Sequence, residues 1–169
     1  MEGDATGVQA MEMTKWFDTN YHYLVPEFTS DTEFSLSTTK VIDEYTQATE
    51  LGIDTRPVLL GPVSFLLLGK SQEAGFDRLD LLDDLLPVYS EVLQRLDDAG
   101  ADAVQIDEPT LVADRTDEER AAYTAAYEAL VDAADLDLHV ATYFGSLPDS
   151  LSTALSLPVA SLHVDSPGC

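Results

Sequence analysis

Ala103-Val104-Gln105-Ile106-Asp107-Glu108-Pro109 is the stretch from which the fold can be read. It is a short, mostly apolar strand that runs into two adjacent carboxylates and a proline. Ile106 anchors such a strand in a core. Pro109 stops further ladder pairing because it has no N–H. In α/β folds the carboxyl ends of parallel strands are where ligands sit, so Asp107 and Glu108 are expected to line a site. The competing expectation is a solvated acidic loop. Adjacent strand residues point to opposite faces. An acid pair acting on one substrate therefore requires the strand to end at Asp107. Otherwise one carboxylate binds a ligand amine while the other caps a loop or helix.

The flanking sequence alternates helix and strand. Upstream, Leu82, Leu85, Leu86, Tyr89, Val92, Leu93 and Leu96 mark one face of a helix that Gly100 closes. Pro87 is tolerable if that helix begins near Asp84 and the proline falls in its first turn. Ile42, Tyr45, Ala48 and Leu51 recur at helical spacing between Ser37 and Leu51, with Gly52 as the stop. Arg56 to Pro62 reads as a buried strand. Val63 to Lys70 is an apolar run with Ser64 as its polar exception, either a short helix or a second strand. Downstream, Thr116-Asp117-Glu118-Glu119 is a capping box opening a helix to about Ala134. A strand over Leu136–Phe144, a short helix over Pro148–Leu155 and a strand over Pro158–Val164 complete the chain. Such alternation with short connections means βαβ units and a parallel sheet. A full (βα)8 barrel needs about 250 residues and the chain has 169, so it is either a small doubly wound domain or a barrel segment.

Residues 11 to 28 show no clean periodicity. They hold the single tryptophan, Trp16, among Phe17, Tyr21, Tyr23 and Phe28. Dense aromatics there mean a loop packed over a core or a ligand-lining segment. Residues 1 to 10 are small and polar and read as a loop or a cut end.

Composition excludes several classes. There are 32 acids against 8 bases, a net charge of -24. Nucleic acid is an unfit partner for such a surface. The acids are spread over amphipathic helices, not gathered in one tail, which suits a protein working in high salt. At about 1 M salt the Debye length is about 3 Å and self-repulsion is screened. No apolar run reaches the roughly 20 residues of a membrane span, and no secretory leader is visible at the amino terminus. The sole cysteine is Cys169, so no internal disulfide can form and a cytoplasmic location is expected.

Neither G-x-G-x-x-G nor a P-loop occurs. Paired-cysteine and H-E-x-x-H metal spacings are missing too. His139 is read as a satisfied histidine. His163, two residues before Asp165, is a candidate metal ligand. The strand ends instead present Gly61-Pro62, Asp107-Glu108, Thr142-Tyr143 and His163-x-Asp165, a barrel-like set of ligand groups.

Glu12 to Glu27 (Glu-Met-Thr-Lys-Trp-Phe-Asp-Thr-Asn-Tyr-His-Tyr-Leu-Val-Pro-Glu) resembles the amino-terminal domain of cobalamin-independent methionine synthase. So do Pro57–Val63, Leu67–Lys70, Leu86–Tyr89, Val104–Pro109, Thr142–Phe144 and Leu162–Asp165, in the same order. The resemblance implies two (βα)8 barrels and methyl transfer from a methyltetrahydrofolate polyglutamate to homocysteine. It implies zinc in the carboxy-terminal barrel, with ligands outside this chain, so this chain itself is expected to bind no cofactor. The amino-terminal barrel would meet the folate's glutamate tail and the catalytic barrel. Lys15 matches the family lysine that meets that tail; a surface lysine paired with Glu12 or Asp18 is the alternative. In the family's catalytic barrel the same Gln-Ile-Asp-Glu-Pro pattern contacts the amino-acid substrate, so Asp107 and Glu108 here read as an inherited strand-end site. The expectation is an incomplete TIM-barrel segment over residues 1–169, inactive alone. The alternative is a folate-tail-binding or docking module beside a separately encoded catalytic barrel.

Overall fold

A computed structural model describes residues 10–147 and 149–165. The chain begins with β1 (Met13–Lys15), β2 (His22–Leu24) and β3 (Glu27–Phe28), then α1 (Lys40–Glu50), β4 (Val58–Leu60), α2 (Pro62–Leu67) and β5 (Lys70–Ser71). A 3-10 turn at Arg78–Leu81 leads into α3 (Leu82–Asp98) and β6 (Ala103–Asp107). A second 3-10 turn, Pro109–Val112, precedes α4 (Asp117–Val131), β7 (Asp137–Ala141), α5 (Leu151–Ser156) and β8 (Ser161–His163).

Strand order separates the two expected architectures. The main sheet runs β4-β6-β7-β8, all parallel and in chain order. A doubly wound sheet would reverse direction at a switch point. Winding in one sense places the connecting helices on one face. That face carries the core: Val104 and Ile106 of β6 and Leu138 and Val140 of β7 are buried with Leu85, Leu93 and Leu96 of α3 and Tyr123, Tyr127 and Leu130 of α4. The alternate residues, Gln105, Asp107 and His139, are only half-buried on the other face, and Val58 of β4 is 52% exposed there. The result is an α/β segment of a TIM-barrel-like fold.

Local chemistry explains the end of α3 and the start of α4. Gly100 takes φ 86 after α3, a conformation that costs other residues a Cβ clash. Thr116 Oγ1 accepts the Glu119 amide at 3.2 Å while the Glu119 carboxylate accepts the Thr116 amide at 3.0 Å, the reciprocal box expected for α4.

The expected lengths needed revision at several elements. Helix α3 begins at Leu82, not near Asp84, so Pro87 lies inside it, beyond the first turn. Pro87 and Asp83 are both exposed, and water can satisfy the carbonyl that the proline leaves unbonded. Val63 to Lys70 proves to be a helix followed by a short strand, because Pro62 suits a first helical position. The aromatic stretch is not irregular: β1 and β2 form an antiparallel hairpin with Thr14 opposite Tyr23 and Lys15 opposite His22. Its alternation lasts only three residues per strand, too short to register as a period. Strand β3 then pairs in parallel with β5. Helix α5 begins at Leu151; Pro148, residues 1–9 and Cys169 lie outside the described residues.

Candidate functional site

The carboxyl end of β6 sends its two acids to opposite sides of the sheet. Asp107 faces the open side. Its Oδ1 accepts from Nε2 of Gln105 at 2.8 Å and its Oδ2 from the Tyr143 hydroxyl at 3.3 Å. Arg56 donates to Oε1 of Gln105 at 3.2 Å, which extends the polar run along this face. Burial and the neighbouring Asp107 carboxylate push the Tyr143 phenol above its ordinary range, so it remains a donor.

Glu108 turns the other way and is fully buried beneath the helices, not in a solvated loop. Its Oε2 accepts the Ser64 amide at 2.9 Å, and its Oε1 accepts the Tyr127 hydroxyl at 3.1 Å. Gly61 precedes α2 and has no side chain to cap that helix. The Glu108 carboxylate, arriving from β6, does the capping, and the helix dipole favours an anion there. Ser64 Oγ and Thr110 Oγ1 bond at 2.8 Å, and Thr110 Oγ1 meets the Tyr123 hydroxyl at 2.6 Å. Tyr89 donates to the Leu60 carbonyl at 2.7 Å. Burial raises the Glu108 carboxyl to about 7, partly offset by the hydrogen bonds from Ser64 and Tyr127. Burial, and then the Glu108 charge, also raises the phenols of Tyr89, Tyr123 and Tyr127.

The tyrosines of this network were not singled out from sequence. Tyr123 and Tyr127 stand four apart on the apolar face of α4, a spacing that stacks two hydroxyls over one spot. Together with Ser64, the single polar residue in its apolar run, they signalled a buried acceptor.

Lys15 lies on β1, exposed, opposite His22. Neither expected partner holds it: Glu12 pairs with Lys70, and among the described residues Lys15 enters no ion pair. The hairpin turn reaches the carboxyl end of β7, where Phe17 stacks on Phe144 with centroids 5.0 Å apart. Tyr23 also donates to the Leu68 carbonyl at 3.0 Å. His139 bonds through Nδ1 to the Ser161 hydroxyl across the β7–β8 pair. His163 is exposed, and its carbonyl accepts the Thr142 amide at 3.0 Å. Among the described residues no group of three or more His, Cys, Asp or Glu is placed to hold a metal ion, and no helix is long and apolar enough to cross a membrane.

The family model described as "Cobalamin-independent synthase, N-terminal domain" matches residues 2–167. The chain belongs to that family. Two relatives named 5-methyltetrahydropteroyltriglutamate–homocysteine methyltransferase place this cobalamin-independent synthase domain within a longer protein. The one from Salinibacter ruber is 70% identical over 165 residues, covering 98% of this chain and 22% of its own length. The one from Nitrobacter winogradskyi is 60% identical over 165 residues, covering 97% of this chain and 21% of its own length. The chain thus spans about a fifth of the length of these relatives. A solved structure assigned as a vitamin-B12-independent methionine synthase from Listeria monocytogenes superposes with a TM-score of 0.64. It covers 83% of this chain and 48% of that one at 15% identity, a likeness of fold.

Proposed function

We propose that this chain serves a methyltransferase in which the methyl group of a 5-methyltetrahydrofolate polyglutamate passes to homocysteine. Its own share is to hold the glutamate tail and to support a catalytic barrel. The names of the relatives support the substrate class. One observation carries the assignment to Lys15. In a chain with 32 acids and 8 bases, this exposed strand lysine has no carboxylate partner among the described residues. A γ-linked glutamate supplies that missing carboxylate, and charge-assisted bonds of this kind are strong.

In this reading residues 1–169 are part of an amino-terminal (βα)8 barrel. Asp107 keeps the inherited strand-end position, and Glu108 caps α2 on the opposite side of the sheet. Zinc would activate the homocysteine thiol in the other barrel. The described residues do not fit such a site, since their histidines and acids do not converge. The acidic surface supports work in high salt, and the single Cys169 supports the cytoplasm.

The test is a titration of triglutamyl against monoglutamyl methyltetrahydrofolate. The wild-type chain should prefer the triglutamate, and Lys15→Ala should erase the preference. Equal affinities in the wild type would remove the assignment. Purified chain alone should form no methionine from homocysteine and methyltetrahydrofolate.

The edges of the main sheet favour a second reading. Strands β4 and β8 each have one side without a partner among the described residues. Unpaired edges invite association, as a docking module beside a separate catalytic barrel would use. Co-purification with a zinc-bearing barrel encoded by a neighbouring gene would select it.

A further inference from the structure

The hairpin that carries Lys15 and the strand end that carries Asp107 are joined by an unbroken run of aromatic rings. Tyr23 meets Trp16 with centroids 5.4 Å apart, and Trp16 meets Phe17 at 5.3 Å. Phe17 stacks on Phe144 at 5.0 Å with the planes 29° apart, and Phe144 meets Tyr143 edge-on at 4.7 Å. The Tyr143 hydroxyl then donates to Asp107 at 3.3 Å.

The two central rings sit on backbone that such residues avoid. Phe17 has φ 52 and Phe144 has φ 73, and these are the non-glycine residues with positive φ among those described. Bulky side chains adopt this region only when their surroundings over-determine it. Glycine would relieve the conformation, as the chain does at Gly52, Gly75 and Gly100. At residues 17 and 144 the ring is kept and the strain is borne. Core burial does not account for it, because Phe144 is 40% exposed. What the rings share is each other: one from the hairpin turn, one from the end of β7.

We infer that Phe17 and Phe144 form a latch that positions the Lys15 hairpin over the carboxyl end of the sheet, which makes Phe144 a positioning residue for an anionic glutamate tail. The inference rests on the reading of Lys15 above. A hairpin of two three-residue strands is marginal by itself. Its other ties lie on the β5 side, through Glu12 with Lys70 and Tyr23 with Leu68. Without the latch, Lys15 would have to be oriented at the moment of binding. That ordering cost would weaken the tail-bearing ligand and leave the monoglutamate almost unaffected.

Trp16 is the chain's single tryptophan and touches Phe17, so its fluorescence reports the latch without any ligand. In the full chain, Phe144→Ala should red-shift Trp16 emission and increase acrylamide quenching. It should also reduce the triglutamate-to-monoglutamate affinity ratio by about tenfold. Phe144→Tyr should preserve both readouts. Phe144→Gly removes the strained conformation, so it should melt at least as high as Phe144→Ala and still lose the ratio. If Phe144→Ala fails to fold, Phe144→Gly and Phe17→Gly decide. Emission and ratio both unchanged in the ring-less variants would overturn the latch. Lys15→Ala separates the two ideas. If it keeps the ratio, the reading of Lys15 fails. If it loses the ratio while the ring-less variants keep theirs, the latch alone fails.

Discussion

A Cβ added to Gly61 would stand 2.0 Å from Oε1 of Glu108, so the glutamate carboxylate occupies the volume that any other side chain at residue 61 would need. The carboxylate also receives the Ser64 amide at 2.9 Å. Gly61→Ala must therefore either push Glu108 off the helix terminus or separate α2 from β6. Overpacking alone costs about 1–3 kcal/mol, and the lost buried bond adds about 1–3 kcal/mol. Urea unfolding should show a loss of at least about 2 kcal/mol. A loss below about 0.5 kcal/mol would mean that the junction yields freely.

Glu108 also makes stability depend on pH in the direction opposite to a salt-bridged acid. Burial raises its carboxyl from 4.5 to about 7, and the groups that face it, Ser64, Tyr89, Tyr123 and Tyr127, bring no positive charge. Between those two values the folded chain holds a proton that the unfolded chain has lost. Stability contributed by this group therefore falls as pH rises from about 4.5 to about 7 and levels off above. The full span corresponds to roughly 3 kcal/mol. Many surface acids titrate nearby, so the informative quantity is the difference from Glu108→Gln, which keeps an acceptor for Ser64 and cannot ionise. Urea midpoints from pH 5 to 8 should converge toward the low end and diverge, in favour of the variant, at the high end. Parallel curves would rule out a buried titrating Glu108.

The net charge of -24 makes a separate claim. At low ionic strength the acids repel across the whole surface, and at about 1 M salt that repulsion is confined within about 3 Å. The ion pairs formed by described residues are mostly exposed, so salt has few favourable contacts to weaken. The melting temperature should rise from low to molar sodium chloride and the transition should sharpen. An equally high, equally cooperative melt at both salts would refute an adaptation to high salt.

Much of the main sheet was legible because the long helices α3 and α4 alternate with its strands and carry clear signals, although β4 and β8 are themselves only three residues each. Ala103–Asp107, the α3 stripe and the Thr116 capping box came directly from pattern. The hairpin was not legible, since three-residue strands carry too little alternation and Lys15 and Trp16 could be placed on no face. The direction of Asp107 and Glu108 followed from strand geometry, but their partners did not. Ser64 lies 44 residues from Glu108 in sequence, and Tyr127 lies 19 away. Such pairings are fixed by how α2 and α4 pack on β6, which local sequence does not encode. The left-handed backbone of Phe17 and Phe144 was equally hidden, because local preference argues against it and only the stack between them supports it.

Tyr127→Phe tests whether the buried network serves the ionised or the neutral form of Glu108. The Tyr127 hydroxyl donates to Oε1 at 3.1 Å, and its bond lowers the glutamate's affinity for a proton. Removing the hydroxyl keeps the ring and its packing, so the change isolates one donor. At pH 8 the ionised carboxylate would lose a partner in a water-poor setting, at a cost of about 1–3 kcal/mol. At pH 5 the carboxyl is protonated and the loss falls toward the value for a neutral bond, about 1 kcal/mol. Unfolding measured at the two pH values should therefore show a larger penalty at pH 8, by up to about 2 kcal/mol. The variant should also shift the Glu108 titration upward, because the proton now competes with one bond fewer. Equal penalties at both pH values would mean that the Tyr127 hydroxyl does not distinguish the ionised from the neutral Glu108, and the preference for a capping anion at α2 would then rest on the Ser64 amide without help from α4.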